Sequence, residues 1–443
     1  MAELLIRGGT VVDATGSRRA DVVVEDDRVV AVVDAGADRP SEPTGRRRVL
    51  DAGGCLVSPG LVDLHAHLRQ PGREEAETVE TGARAAALGG YTAVVAMPNT
   101  EPPIDDPAMA REVLALGRRT VAEVTVAGAI TLGRAGQRLA PMGELAALGV
   151  RLFTDDGSGV QDGALMRRAL EYARGLGVTL AQHCEDAALA AGGCAHDGAW
   201  SSRLGLPGMP AAAEEAMVAR DIALARLTGC RVHLLHLSTA GSVALVRQAR
   251  AEGVPVTAEA APHHFTLTDA EIAGYDPLFR VNPPLRPAVD VEAVRRGLAD
   301  GTVQAVATDH APHTPESKEV PFDQAPPGML GLQTALPLTF EALADRLSPA
   351  EVLALLSWQP AAIAGLLEGD SRPEGVSAHG GPLSPGSAAN LCVVDPTATW
   401  RLEADQLASR SRNSPYLGRR LTGRVRHTVL RGEPVVVDGE AQR

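Results

Sequence analysis

His65 and His67 stand two residues apart in the apolar run Leu61-Val62-Asp63-Leu64-His65-Ala66-His67-Leu68-Arg69. A second polar group, Thr308-Asp309-His310-Ala311-Pro312-His313, closes another apolar run far downstream. In a strand the side chains at i and i+2 share a face, so two imidazoles at that spacing can grip one ion, and Arg69 extends the same row. The runs 177–185 and 231–238 also end in histidines, His183 and His236. A single histidine in a strand is more often a hydrogen-bonded structural residue. Four of them, joined by Asp155 or Asp156 and by Asp309, match a hydrolytic zinc site, in which nitrogen and oxygen ligands leave one position open for water.

These residues need a scaffold that brings distant strand ends together. Apolar runs rich in Val, Leu and Ala fall at 59–68, 90–98, 121–130, 149–155, 177–184, 231–237, 254–261 and 303–309. Segments of helical period lie between them, at 77–88, 106–116, 165–176, 214–227 and 242–251. Eight strands alternating with helices predict an α/β chain folded as a (β/α)8 TIM-like barrel, whose catalytic groups collect at the carboxyl ends of its strands. An open doubly wound sheet would gather ligands at one crevice instead. Outside this beat, the runs 4–12 and 21–33 read as a hairpin-like pair, and 389–395 and 425–438 as further strands. The expected organisation is therefore a discontinuous small β-sandwich, residues 1–57 with 386–443, beside a barrel at 58–385. The Gly-, Ser- and Pro-rich stretch 368–385 is expected to be a linker or surface loop.

Composition excludes several partners. With 443 residues, 45% of them hydrophobic, the chain can bury a large core, and a formal net charge of -13 argues against nucleic acid or an anionic membrane. An acidic substrate must then be held by local positive charge. Cys55, Cys184, Cys194, Cys230 and Cys392 form no CxxC pair, which predicts free thiols in a reducing compartment, and no apolar run approaches membrane-spanning length. The start Met1-Ala2-Glu3-Leu4 lacks a basic region leading into an apolar core, so a cytoplasmic protein is expected.

The chain resembles the amidohydrolase superfamily and, within it, the bacterial type I dihydroorotases. The segments that carry the resemblance are His65-Ala66-His67-Leu68-Arg69, Met97-Pro98-Asn99-Thr100, Phe153-Thr154-Asp155-Asp156-Gly157, His183-Cys184-Glu185-Asp186, Asn282-Pro283-Pro284-Leu285-Arg286 and Thr308 to His313. Many binuclear members of the superfamily bridge two metals with a carbamylated lysine on the fourth strand. The only lysine here, Lys318, lies beyond the eighth strand, and strand four ends in Asp155-Asp156. Strand alternation lets one of these aspartates face a metal. The resemblance implies that Asp156 is the shared ligand, which leaves Asp155 to bond loop amides.

The resemblance further implies one or two zinc ions: His65, His67 and Asp309 on one, His183 and His236 on a second, Asp156 on both. The implied reaction is the reversible cyclisation of N-carbamoyl-L-aspartate to L-dihydroorotate in pyrimidine biosynthesis, with Asp309 as the catalytic base and acid. Arg69 would clamp the substrate carboxylate that does no chemistry. Asn99, Asn282, His313 and the backbone at Pro327 and Gly328 are implied as the rest of the substrate shell. His263 and His264 are expected to support or pack, Cys184 to face away, and 314–327 to act as a lid. The alternatives are another cyclic-amide hydrolase, such as a hydantoinase or allantoinase, and a silent subunit that scaffolds aspartate transcarbamoylase. That transferase and a second copy of the chain are the macromolecular partners the resemblance brings into view.

Overall fold

A computed structural model describes residues 3–34 and 47–442. Residues 1–2, 35–46 and 443 lie outside the described residues, and with them the Met1-Ala2 start and part of the expected terminal unit. Eight parallel strands occupy the eight apolar runs: β1 (Leu61–Ala66), β2 (Tyr91–Ala96), β3 (Glu123–Val126), β4 (Leu152–Phe153), β5 (Thr179–Gln182), β6 (Val232–Leu234), β7 (Val256–Ala260) and β8 (Ala305–Val306). β1 to β3 pair in order, as do β4 to β8. Parallel bridges Gly128↔Phe153 and Ala66↔His310 join the two sets and close the barrel. The paired segments are shorter than the apolar runs because apolar composition marks burial, whereas the run ends leave the ladder to present polar side chains at the mouth.

Helices follow the strands where the period predicts them, and local chemistry sets their ends. Asp106 accepts from the amides of Ala108 and Met109 to start Pro107–Gly117, and Asp162 caps Gly163–Leu176 in the same way. Side chains from seven of the strands or their ends, among them Val62, Leu64, Val95, Leu152, Ala181, Leu235 and Ala305, meet in one cluster that fills the barrel. Ala361 and Ala364, from the helix Trp358–Ala364, plug its floor. The larger cluster packs strand residues such as Ala66, Phe153, Leu180 and Leu234 against the helices.

The two terminal segments meet in one β unit with its own core of Leu4, Ile6, Val22, Val57, Leu391 and Val429. Its pivot is the strand Leu56–Pro59, parallel to Glu3–Asp13 on one side and antiparallel to Leu391–Arg401 on the other, which runs through Gly60 into β1. The run 21–33 is not one strand. It is split between Gly16–Glu25 and Arg28–Asp34 by the turn Asp26-Asp27, where Asp26 takes φ 52°. Nor is 368–385 a free linker: Ser377 and the buried His379 bond Glu123 at the start of β3, and His379 also meets Thr92. A further segment, 402–419, leaves the sheet and reaches the barrel mouth, where the Ser411 hydroxyl donates to Ala76 O at 2.7 Å.

Candidate metal centre and pocket

The residues anticipated as metal ligands come together at the carboxyl end of the barrel, all buried. His65 follows Leu64, which packs inside the barrel, and precedes Ala66, which packs outside. Simple alternation therefore does not run through the motif. The β1–β2 register shifts between Asp63 and Ala66, and this irregularity lets His65 and His67 both face inward, their rings 5.2 Å apart. His236 is turned inward by a positive φ of 31°, between Leu235 in the interior and Leu237 in the outer layer. Asp309 and Arg69 also have positive φ, 45° and 60°. Left-handed backbone at non-glycine residues costs on the order of 1–3 kcal/mol each and collects where side chains must be aimed.

Asp156 presents one oxygen to each histidine pair. Its Oδ2 lies 3.4 Å from His65 Nε2 and 3.6 Å from His67 Nε2. Its Oδ1 lies 3.5 Å from His183 Nδ1 and 3.7 Å from His236 Nε2. Asp309 Oδ1 joins the first pair, 3.2 Å from His67 Nε2 and 3.7 Å from His65 Nε2. Ligand atoms about 2.0–2.1 Å from a tetrahedral ion stand roughly 3.3 Å from one another, close to these separations. Asp155 points elsewhere: its Oδ1 accepts from the amides of Ile130 and Thr131 at 2.9 and 3.0 Å.

Hydrogen bonds behind the ligands select which ring nitrogen faces the centre. Glu259 accepts from His65 Nδ1 at 2.9 Å and from His233 Nε2 at 3.0 Å, so His65 turns Nε2 inward, where it is buried without a hydrogen-bond partner among the described residues. Asn99 Oδ1 does the same for His67 through Nδ1 at 2.9 Å. His183 inverts the pattern, with Nε2 3.5 Å from Glu185 and Nδ1 inward. The electrostatics call for positive charge. Burial pushes the Asp156 carboxyl up, but His65, His183 and His236 outweigh it and hold the group well below the usual carboxylate range. Asp309 is likewise lowered by His67 and His65 against burial, and Glu259, bonded by His233 and His65, falls to about 2. Two anionic carboxylates, Asp156 and Asp309, beside the orphaned Nε2 of His65, with Glu259 behind the ring, form a donor set suited to a divalent cation.

Beside the ligands opens a cavity of 230 Å³ lined by Arg69, Asn99, Asn282, His313, Pro327 and Gly328, together with His67, Asp156, His183, His236 and Asp309. The Arg69 Nε donates to Pro312 O at 3.1 Å, which aims the guanidinium. Asn282 Nδ2 donates to Glu185 at 2.8 Å, leaving Oδ1 buried and without a hydrogen-bond partner among the described residues. The His313 Nε2 donates to Pro327 O at 2.9 Å, and burial, with Arg69 and Lys318 adding, lowers its pKa to about 3, so the ring is neutral. Gly328 is engaged twice within the protein, its N–H on Arg280 O at 2.8 Å and its carbonyl accepting from Asn413 at 3.1 Å. Each carbonyl keeps a second lone pair for a ligand.

Several neighbours carried no recognised signal in the sequence. Glu259 and His233 form the support behind His65, legible only as inward positions of β7 and β6. Asn413 bonds Ala311 O, Gly328 O and the His313 amide from a segment more than eighty residues downstream. Arg73, paired with Glu101 at 2.9 Å, lines the mouth. By contrast His263, which the sequence already marks as a supporting or packing residue, has its buried Nε2 3.8 Å from Asp309 Oδ2 and is pushed down to about 4 by burial, with Asp309 opposing. His264 instead donates to Pro283 O, and Cys184 packs in the outer layer.

Known proteins share this architecture and sequence. A dihydro-orotase-like family model matches residues 54–242. The chain is 48% identical to a dihydroorotase of Pelotomaculum thermopropionicum over 98% of this chain and 99% of that protein. It is 49% identical to a dihydroorotase of Mycobacterium leprae over 94% of each. Among solved structures, an L-hydantoinase (dihydropyrimidinase) from Arthrobacter aurescens matches with a TM-score of 0.86 at 25% identity, over 100% of this chain and 98% of that one. A D-hydantoinase (dihydropyrimidinase) from Thermus sp. has the same fold, with a TM-score of 0.80 at 24% identity over 99% and 96%. Identity near one half along almost its entire length places the chain in the dihydroorotase family.

Proposed function

We propose that the chain catalyses the reversible cyclisation of N-carbamoyl-L-aspartate to L-dihydroorotate with zinc as its metal. The observation that carries this reading is Asp156, one oxygen toward each histidine pair, in a chain with no lysine at strand four. His65, His67 and Asp309 would hold one ion and His183 and His236 a second, with Asp156 shared, and the bound charge supplies polarisation of the carbonyl under attack.

The rest is done by side chains. Asp309, held ionised, takes the proton of the attacking water during ring opening and returns it to the departing ring nitrogen. In ring closure it takes the proton of the ureido nitrogen and gives it to the departing oxygen. Its Oδ1 is fixed by His67, and Oδ2 remains for the proton. Arg69 clamps the spectator carboxylate, since burial, with Arg73 adding, lowers its pKa only to about 10 and it stays charged at neutral pH. The open Oδ1 of Asn282 accepts a ring or ureido N–H, and Asn99 and His313 shape the remaining wall. The five buried, unpaired cysteines support a cytoplasmic placement.

The test follows ring opening of L-dihydroorotate by purified protein, before and after chelation and after return of zinc, beside hydantoin and allantoin. Turnover of L-dihydroorotate that disappears with chelation and returns with zinc is expected. Preference for hydantoin, or full activity after complete metal removal, overturns the reading.

A further inference from the structure

Lys318 is the only lysine of the chain, and it is 6% exposed. It ends the one-turn helix Pro315–Lys318 in the long connection after β8. Its Nζ lies 2.7 Å from the carbonyl oxygen of Pro326, 3.1 Å from that of Pro277 and 3.4 Å from that of Arg280. Three acceptors around one nitrogen call for three N–H donors, and only the ammonium has them. Among the described residues no carboxylate pairs with it. The acid that acts on it from a distance, Asp276, uses its Oδ1 to cap Leu278. Burial, with Arg280 adding and Asp276 opposing, lowers its pKa to about 7, a sign of what holding the ammonium there costs. An apolar side chain of similar volume would fill the space without that cost, so packing alone does not account for a lysine here.

One of the three carbonyls belongs to the pocket wall, and the other two to the segment that leads into Asn282. Pro326 leads into Pro327 and Gly328, and all three line the cavity. Pro277 and Arg280 bracket the turn Pro277–Phe279, two residues before Asn282, whose open oxygen faces the same cavity. The carbonyl of Arg280 also accepts from Gly328 N–H, and its guanidinium donates to Phe322 O at 2.9 Å. Lys318 therefore sits where the two segments are stitched together. The Gly328 wall has little slack: at φ 133°, an added Cβ would stand 2.5 Å from Ala311 Cβ.

We propose that Lys318 is a positioning residue whose ammonium locks the 326–328 wall to the 277–282 segment, and so sets the spacing between Gly328 and Asn282 across which the ring is held. The identity of that ring rests on the function proposed above, whereas the lock does not.

The experiment compares wild-type holoenzyme with Lys318→Met and Lys318→Arg by amide hydrogen exchange and by steady-state kinetics on L-dihydroorotate. In Lys318→Met, exchange is expected to rise together in 319–328 and 277–282 and to stay unchanged in β1 to β8. KM should rise about tenfold with kcat held within about twofold, the size expected for hydrogen bonds to a charged group that act on substrate placement. Lys318→Arg, which keeps the charge in a planar fork, should show a smaller rise in both readouts. Wild-type exchange in both segments, loosening of 319–328 alone, or a fall in kcat as large as the rise in KM overturns the proposal. If Lys318→Met does not fold, Lys318→Gln, which also lacks the ammonium, takes its place, and wild-type exchange in both segments of that folded variant overturns the proposal. If wild-type holoenzyme fails to turn over L-dihydroorotate, the function falls, and the paired exchange alone decides the lock.

Discussion

Asp309 and Glu259 are both buried carboxylates facing histidines, yet they divide the work. Asp309 reaches the cavity and Glu259 does not; it stands behind His65 and fixes the tautomer that turns Nε2 inward. Asp309→Asn leaves His65, His67 and Asp156 in place but removes the carboxylate proposed as the proton acceptor. Bound metal is expected to persist while kcat falls by about 10²–10⁴, the usual share of general acid–base catalysis. Metal content and turnover measured on the same preparation check this, and a variant that keeps wild-type kcat excludes Asp309 as the base. Glu259→Gln should instead weaken metal retention by about 10–100-fold, as for other supports of ligating histidines. Competition against a chelator reads that loss, and unchanged retention shows that His65 needs no such partner.

At the scale of elements, the barrel mouth is held by ties between segments far apart in the chain. Glu77, just before the helix Val79–Leu88, accepts from His310 Nε2 at 3.2 Å and from the amide of Arg410 at 3.2 Å, and also bonds the hydroxyls of Thr81 and Ser409. It thus joins the first helix, the residue after Asp309 and the segment that carries Asn413. Burial raises its pKa, but the bonds and charge of His310, with those of Ser409 and Thr81, hold it below its ordinary 4.5. A lowered carboxyl pKa means that the unfolded chain binds more protons on the acid side. The stability from Glu77 is then fully present above pH 4.5 and lost as pH falls through the lowered folded value. The stability gap between wild type and Glu77→Gln in denaturant titrations should therefore shrink below pH 4.5. A gap that stays constant into acid would mean that Glu77 acts without its charge.

For the whole molecule, a net charge of -13 opposes an anionic substrate, while Arg69 and Arg73 offer positive charge only at the mouth. Arg73 is tied to Glu101, so its field reaches only a short way. The long-range repulsion is what salt removes, since the screening length falls to about 8 Å at physiological ionic strength. Consequently kcat/KM for N-carbamoyl-L-aspartate is expected to rise modestly between low and physiological salt. A steady fall over that range would show that the local arginines, rather than the net charge, steer the encounter.

The sequence by itself determined the eight-strand beat, the union of the terminal β segments and the set of strand ends that carry histidine and aspartate, because burial periodicity and donor chemistry are local properties of the chain. It also excluded a lysine at strand four, which needs only the residue types. Tertiary structure alone decided how those side chains are aimed. The β1 irregularity at His65 and the positive φ of Arg69, His236 and Asp309 break the simple two-residue alternation, whereas Asp155 turns away as that alternation leads one to expect. It also decided the supports: Glu259 behind His65, Asn413 beneath Gly328 and Lys318 between the pocket wall and the segment that leads into Asn282. Each depends on contacts between residues far apart in the chain, and such contacts leave no period in the sequence.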